Sequence, residues 1–73
     1  MDVRALRYFT TIADLGSFSA ASRRLRIAQP ALSRQIRLLE EELGSPLLAR
    51  SSHGVGLTPA GERLYRHAEG LLH

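Results

Sequence analysis

Val3, Leu6, Phe9, Ile12 and Ala13 recur at the three- and four-residue spacing of a helix with one apolar side, and Asp2 stands where an N-cap belongs. The pattern predicts a first helix ended by Gly16, with Arg4 and Arg7 left to water or to a ligand phosphate. Ser17 opens the next helix, since its hydroxyl can accept an amide proton of the following turn, and Phe18, Ala21 and Leu25 fall at i, i+3 and i+7. That helix is short and buries one narrow stripe. Ala20 and Ala21 are small enough to let a neighbouring helix approach, and Arg26, Ile27 and Ala28 form a turn. Pro30 lacks a backbone N–H and has a fixed φ, so a helix tolerates it only in the first turn. The third helix therefore begins near Ala28 or Gln29, and one continuous rod from 17 to 43 is disfavoured. Leu32, Ile36, Leu39 and Leu43 make its apolar stripe, and Gly44 supplies the stop.

Two short extended pieces at 47–50 and 55–58, joined through Ser51 to Gly54, predict a hairpin. Thr58 can cap a fourth helix with Pro59 at its first position; Ala60, Leu64, Ala68, Leu71 and Leu72 make its seam. No stop signal precedes His73, so the expectation is a helix that continues in a longer chain. The predicted fold class is mainly α, a winged helix-turn-helix in which a three-helix core carries a small β-hairpin wing.

Charge gives the third helix a second meaning. At about 100° per residue, Gln29, Pro30, Ser33, Arg34 and Arg37 share one arc, roughly opposite Leu32, Leu39 and Leu43. Every charge from Arg23 to Arg37 is an arginine, and no acid occurs between Asp14 and Glu40, a surface that attracts phosphate. Net charge is only +3, but all ten basic residues are arginine. The planar guanidinium fork suits phosphates and guanine edges better than an ammonium does. Glu40, Glu41 and Glu42 close the helix, where negative charge opposes both the helix's own negative end and a nearby phosphate. Contact is thus expected in the first two turns. The sequence offers no reason for the three acids beyond Arg37 reaching Glu40 or Glu41, a pair worth a few tenths of a kcal/mol.

Length and composition narrow the class. Seventy-three residues make one domain whose core supplies only a few kcal/mol, so a second subunit would help. No apolar run approaches the roughly 18 residues of a membrane helix, and no apolar signal segment follows Met1. With no cysteine, and with His53, His67 and His73 spaced so that no two share a helix face, no metal site is expected. Ser17, Ser19, Ser22 and Ser33 have no nearby histidine to act as base, and there is no glycine-rich phosphate loop, so no enzyme activity or cofactor is expected. Only four aromatic residues, Tyr8, Phe9, Phe18 and Tyr65, argue against an RNA-stacking surface. The rival reading is a helical protein–protein interaction module with an incidental basic face.

These residues also carry a resemblance. The order Leu6 and Phe9, Gly16-Ser17-Phe18 with Ala20-Ala21 and Leu25, Gln29-Pro30-Ala31-Leu32-Ser33-Arg34-Gln35-Ile36, Leu39-Glu40, Leu43-Gly44, Leu47, Arg50, Leu57-Thr58 and Ala60-Gly61 resembles the N-terminal domain of LysR-type transcriptional regulators. The resemblance implies sequence-specific binding of double-stranded DNA at an inverted-repeat operator. The third helix would enter the major groove and set Gln29, Pro30, Ala31, Ser33 and Arg34 at the bases. Arg37, Arg50, Ser17 and Arg4 would meet phosphates, and a wing tip of Ser52, His53 and Gly54 would lie along the minor groove or backbone. It further implies a domain over residues 1–58 and, over 59–73, the start of a linker helix. That helix would pair two subunits through Ala60, Leu64, Ala68, Leu71 and Leu72, with tetramers open to the full-length protein. A small-molecule inducer is expected only for the family's C-terminal sensing domain, absent from these residues, and the location expected is the bacterial cytoplasm, at the nucleoid. Four positions depart from the family's habits: Ala28 where many members cap the helix with serine, Leu48 and Ala49 in place of Phe and an acid, and His53 where the wing tip is often arginine.

Overall fold

Three of the four helices begin at a side chain that caps them. In the computed structural model, which describes residues 1–72, the order is α1 (Val3–Leu15), α2 (Phe18–Leu25), α3 (Gln29–Leu43), β1 (Leu48–Ser51), β2 (Gly54–Leu57) and α4 (Pro59–Leu72). His73 lies outside the described residues. Asp2 Oδ1 accepts from the Ala5 amide at 2.8 Å, Ser17 Oγ from Ala20 at 3.0 Å and Thr58 Oγ1 from Gly61 at 3.0 Å. The exception is α3, whose Ala28 offers no cap. Gly16 and Gly44 end α1 and α3 in the left-handed region at φ 65° and 74°. α2 ends the same way on a side-chain-bearing residue, Arg26 at φ 58°, and the Ile27 amide closes the turn on the Ser22 carbonyl at 3.1 Å.

The core gathers where the stripes of α1, α2 and α3 meet. Leu6, Phe9 and Ile12 pack with Phe18 and Ala21 and with Leu32, Ile36 and Leu39, and Leu47 and α4 close one side. Both ends of the predicted stripes fray into solvent: Val3 is 58 % and Leu43 41 % exposed, because each sits in a terminal turn that no neighbouring element covers. The seam read along α4 divides differently from its expected use. Leu64 and Ala68 are buried in this chain's own core, Ala60 and Leu72 pack against it, and Leu71 stays 57 % exposed.

The antiparallel hairpin pairs Leu48 with Leu57 and Ser51 with Gly54, one residue off the expected limits at each strand. Leu47 is released from the strand to become a buried anchor, 1 % exposed. Glu40 explains how the hairpin is seated: its Oε2 accepts from the Leu47 and Leu48 amides at 2.8 and 3.3 Å, tying the end of α3 to the start of β1. That use, and not a pair with Arg37, accounts for one of the three acids. On the other side the Val55 amide donates to the Gly16 carbonyl at 3.0 Å. At the base of the wing, the Thr58 amide donates to Leu47 and its hydroxyl to Pro46. The approach there is so close that a Cβ on Gly61 would sit 2.0 Å from the Leu47 carbonyl oxygen, so only glycine fits.

Candidate nucleic-acid interface

The opening turns of α3 stand clear of the rest of the fold. Leu32, Ile36 and Leu39 are buried, while Gln29, Pro30, Ala31, Arg34 and Arg37 on the same helix are exposed and Ser33 is half-buried. One face anchors the helix and the other offers an amide, a hydroxyl and two guanidinium groups. Because Ala28 caps nothing, the helix N-terminus keeps its partial positive charge open to a ligand.

The neighbours of these side chains hold them in place. Ser19, in the first turn of α2, donates its hydroxyl to Gln29 Oε1 at 3.1 Å. The Arg50 guanidinium lies 4.2 Å from the centre of the Phe18 ring, a cation–π contact that fixes the arginine at the foot of the wing. Two shallow grooves result. One runs between α2 and the wing, lined by Ser17, Ser19, Gln29, Arg50 and Ser51; the other brings Ser33 and Arg37 of α3 beside Arg50. Ser17, Gln29, Ser33, Arg37 and Arg50 are thus gathered on one face. Arg4, on α1, lines neither groove. At the wing tip Ser52 and His53 are exposed, the His53 amide donates to Ser51 Oγ at 3.1 Å, and Gly54 adopts φ 109°. Gly54 also touches the core side, where a Cβ would come within 2.8 Å of the Gly16 carbonyl oxygen.

The arginines of this face are not neutralised. Among the described residues the one ion pair joins the amino terminus to Glu42, so Arg34, Arg37 and Arg50 are all without a carboxylate partner. The Tyr65 hydroxyl of α4 donates to the Asp14 carboxylate near the end of α1. That hydrogen bond, then burial and the charges of Asp14 and Glu69, hold the phenol above its ordinary pKa of 10.0. Sequence reasoning did not find Ser19 or Phe18 as positioning groups: nothing local to either residue signals a contact with a side chain ten or more positions away.

The bacterial regulatory helix-turn-helix family called lysR matches over residues 3–62. The chain belongs to the LysR family. Within it, the chain is 54 % identical over 72 residues to the probable cat1 operon transcriptional activator of Acinetobacter lwoffii, covering 99 % of this chain and 24 % of that protein. To the nitrogen assimilation regulatory protein nac of Escherichia coli K12 it is 50 % identical, again over 99 % of this chain and 24 % of the relative. The chain therefore spans about a quarter of the length of these curated LysR-family relatives. Its fold matches the crystal structure of the BenM_DBD/catB site 1 DNA complex with a TM-score of 0.93 and 51 % identity, over 99 % of this chain and 81 % of that one. The CbnR_DBD–DNA complex matches with a TM-score of 0.91 and 42 % identity, over 99 % and 83 %. The architecture is the winged helix-turn-helix of LysR DNA-binding domains.

Proposed function

We infer that this chain is the sequence-specific DNA-binding domain of a LysR-type transcriptional regulator, and that α3 enters the major groove of one half of an inverted repeat. The observation that carries this reading is the protruding, acid-free opening of α3, ringed by arginines that have no carboxylate partner among the described residues. Gln29 and Arg34 read base edges, the amide by its fit to adenine and the guanidinium by its fit to guanine. Ser33 bonds a base or a phosphate, and Pro30 and Ala31 pack against the groove, Ala31 facing a thymine methyl. Arg37, Arg50 and Ser17 hold phosphates and set the register. Arg4 meets the backbone at the margin, and the wing tip of Ser52, His53 and Gly54 follows the minor groove or backbone.

The domain occupies residues 1–58, and 59–73 begin a linker helix. Two copies pair through that helix and present their α3 helices about one DNA turn, ~34 Å, apart. With Leu64 and Ala68 committed to the core, the pairing surface is the opposite side of α4 together with Leu71. Binding uses no cofactor. An inducer belongs to the C-terminal sensing domain of a full-length regulator, and the site of action is the DNA of the cytoplasm.

Selection of bound sequences from a random duplex pool tests this reading. A two-fold symmetric motif is expected, with affinity that falls steeply as salt rises. An unenriched pool, or binding that ignores salt, would favour the helical interaction module instead.

A further inference from the structure

Gln29 reads a base through a planar amide whose oxygen accepts protons and whose nitrogen donates two, so the place and angle of that amide decide which base edges it meets. A free glutamine at an exposed helix start spreads its amide over several side-chain rotamers. This glutamine is not free. Its Oε1 accepts from the Ser19 hydroxyl at 3.1 Å, across the turn from α2. Ser19 itself is exposed and its side chain caps nothing, since the N-cap of α2 is Ser17. Its hydroxyl is therefore available for this contact.

We propose that Ser19 is a specificity-determining positioning residue, which holds the Gln29 amide in one side-chain rotamer before DNA arrives. One lone pair of Oε1 is taken by Ser19, and both Nε2 protons and the second lone pair are left for the groove. Adenine accepts at N7 and donates at N6, and so engages both ends of an amide held at this place; cytosine, which offers only the N4 donor to the major groove, engages one. Ser19 touches no base in this scheme. It removes the alternative rotamers, and so lowers the ordering cost of binding most at the base that engages both ends of the amide. The proposal rests on Gln29 reading a base.

The test is a double-mutant cycle on the duplex obtained by pool selection, with all four bases placed in turn at the position where Gln29→Ala loses discrimination. Ser19→Ala is expected to lose about 3- to 10-fold of the discrimination at that position, the span of one ordinary hydrogen bond. It should leave discrimination at the other positions, the salt slope and the melting temperature unchanged. Ser19→Thr, which keeps the hydroxyl, restores the preference, and in the Gln29→Ala background Ser19→Ala has no further effect. If Gln29→Ala relaxes discrimination and Ser19→Ala does not, the proposal is overturned while base reading by Gln29 stands. If Gln29→Ala itself weakens all four bases alike, base reading fails and the proposal falls with it. A Ser19→Ala loss spread evenly over every duplex would assign Ser19 to the phosphates instead, and also overturns it.

Discussion

Single residues show both what composition signals and what it hides. Asp2, Ser17 and Thr58 are cap residues by chemistry and cap in the structure, because an N-cap needs only its own oxygen and an amide three residues on. Ser19 and Phe18 are ordinary by the same test, yet one orients Gln29 and the other anchors Arg50. Glu40 is unfavourable by charge at the negative end of a helix, and its carboxylate is used instead to accept from the Leu47 and Leu48 amides. Arg26 is the least expected, since an arginine holds the left-handed position that ends α2 at φ 58°. A Cβ in that conformation costs roughly 1 to 2 kcal/mol and glycine's larger unfolded-state entropy offsets about 0.4 to 1 of it, so Arg26→Gly is predicted to stabilise the fold by up to about 1 kcal/mol. Chemical denaturation of the two proteins side by side measures it; a lower stability for the glycine variant would mean that the guanidinium contributes more than the backbone strain removes.

At the scale of elements, helix limits were legible because Gly16, Pro30 and Gly44 punctuate the chain and apolar spacing fills the intervals. The hairpin was legible to within one residue, since its register is set by the Glu40 and Gly16 anchors and not by its own short strands. The use of the α4 stripe was not legible. Periodicity says that Leu64 and Ala68 face something apolar, and cannot say whether that is the same chain or a second one; in the structure it is the same chain. One contact between elements carries a pH signature. The Tyr65 phenol donates to Asp14 and binds its proton more tightly in the folded state than at its ordinary 10.0. The stability this linkage adds is fully present below about pH 10 and is lost as pH rises through the folded-state pKa. Melting temperatures of the chain and of Tyr65→Phe are therefore expected to differ near pH 8 and to converge in the alkaline range above 10.0, where a constant difference would rule the linkage out.

For the whole molecule, the division of labour is between a face that packs and a face that is left charged. Among the described residues all buried positions are apolar, with no buried polar or charged side chain, and the arginines of α3 and the wing foot have no acid partner. The arc from Gln29 to Arg37 was readable in the sequence because a helix with one buried stripe must show its other side. The convergence of Arg50 and Ser17 on that arc required the folding of the wing against α2, which the residues alone do not encode at short range. The decisive measurement is the affinity of the chain and of Arg34→Ala for the selected duplex and for a scrambled one at the same salt. The variant is predicted to lose about 1 to 3 kcal/mol on the selected duplex and much less on the scrambled one. Equal losses on both would mean that α3 meets only the phosphate backbone, and would contradict its placement in the major groove as the reader of sequence.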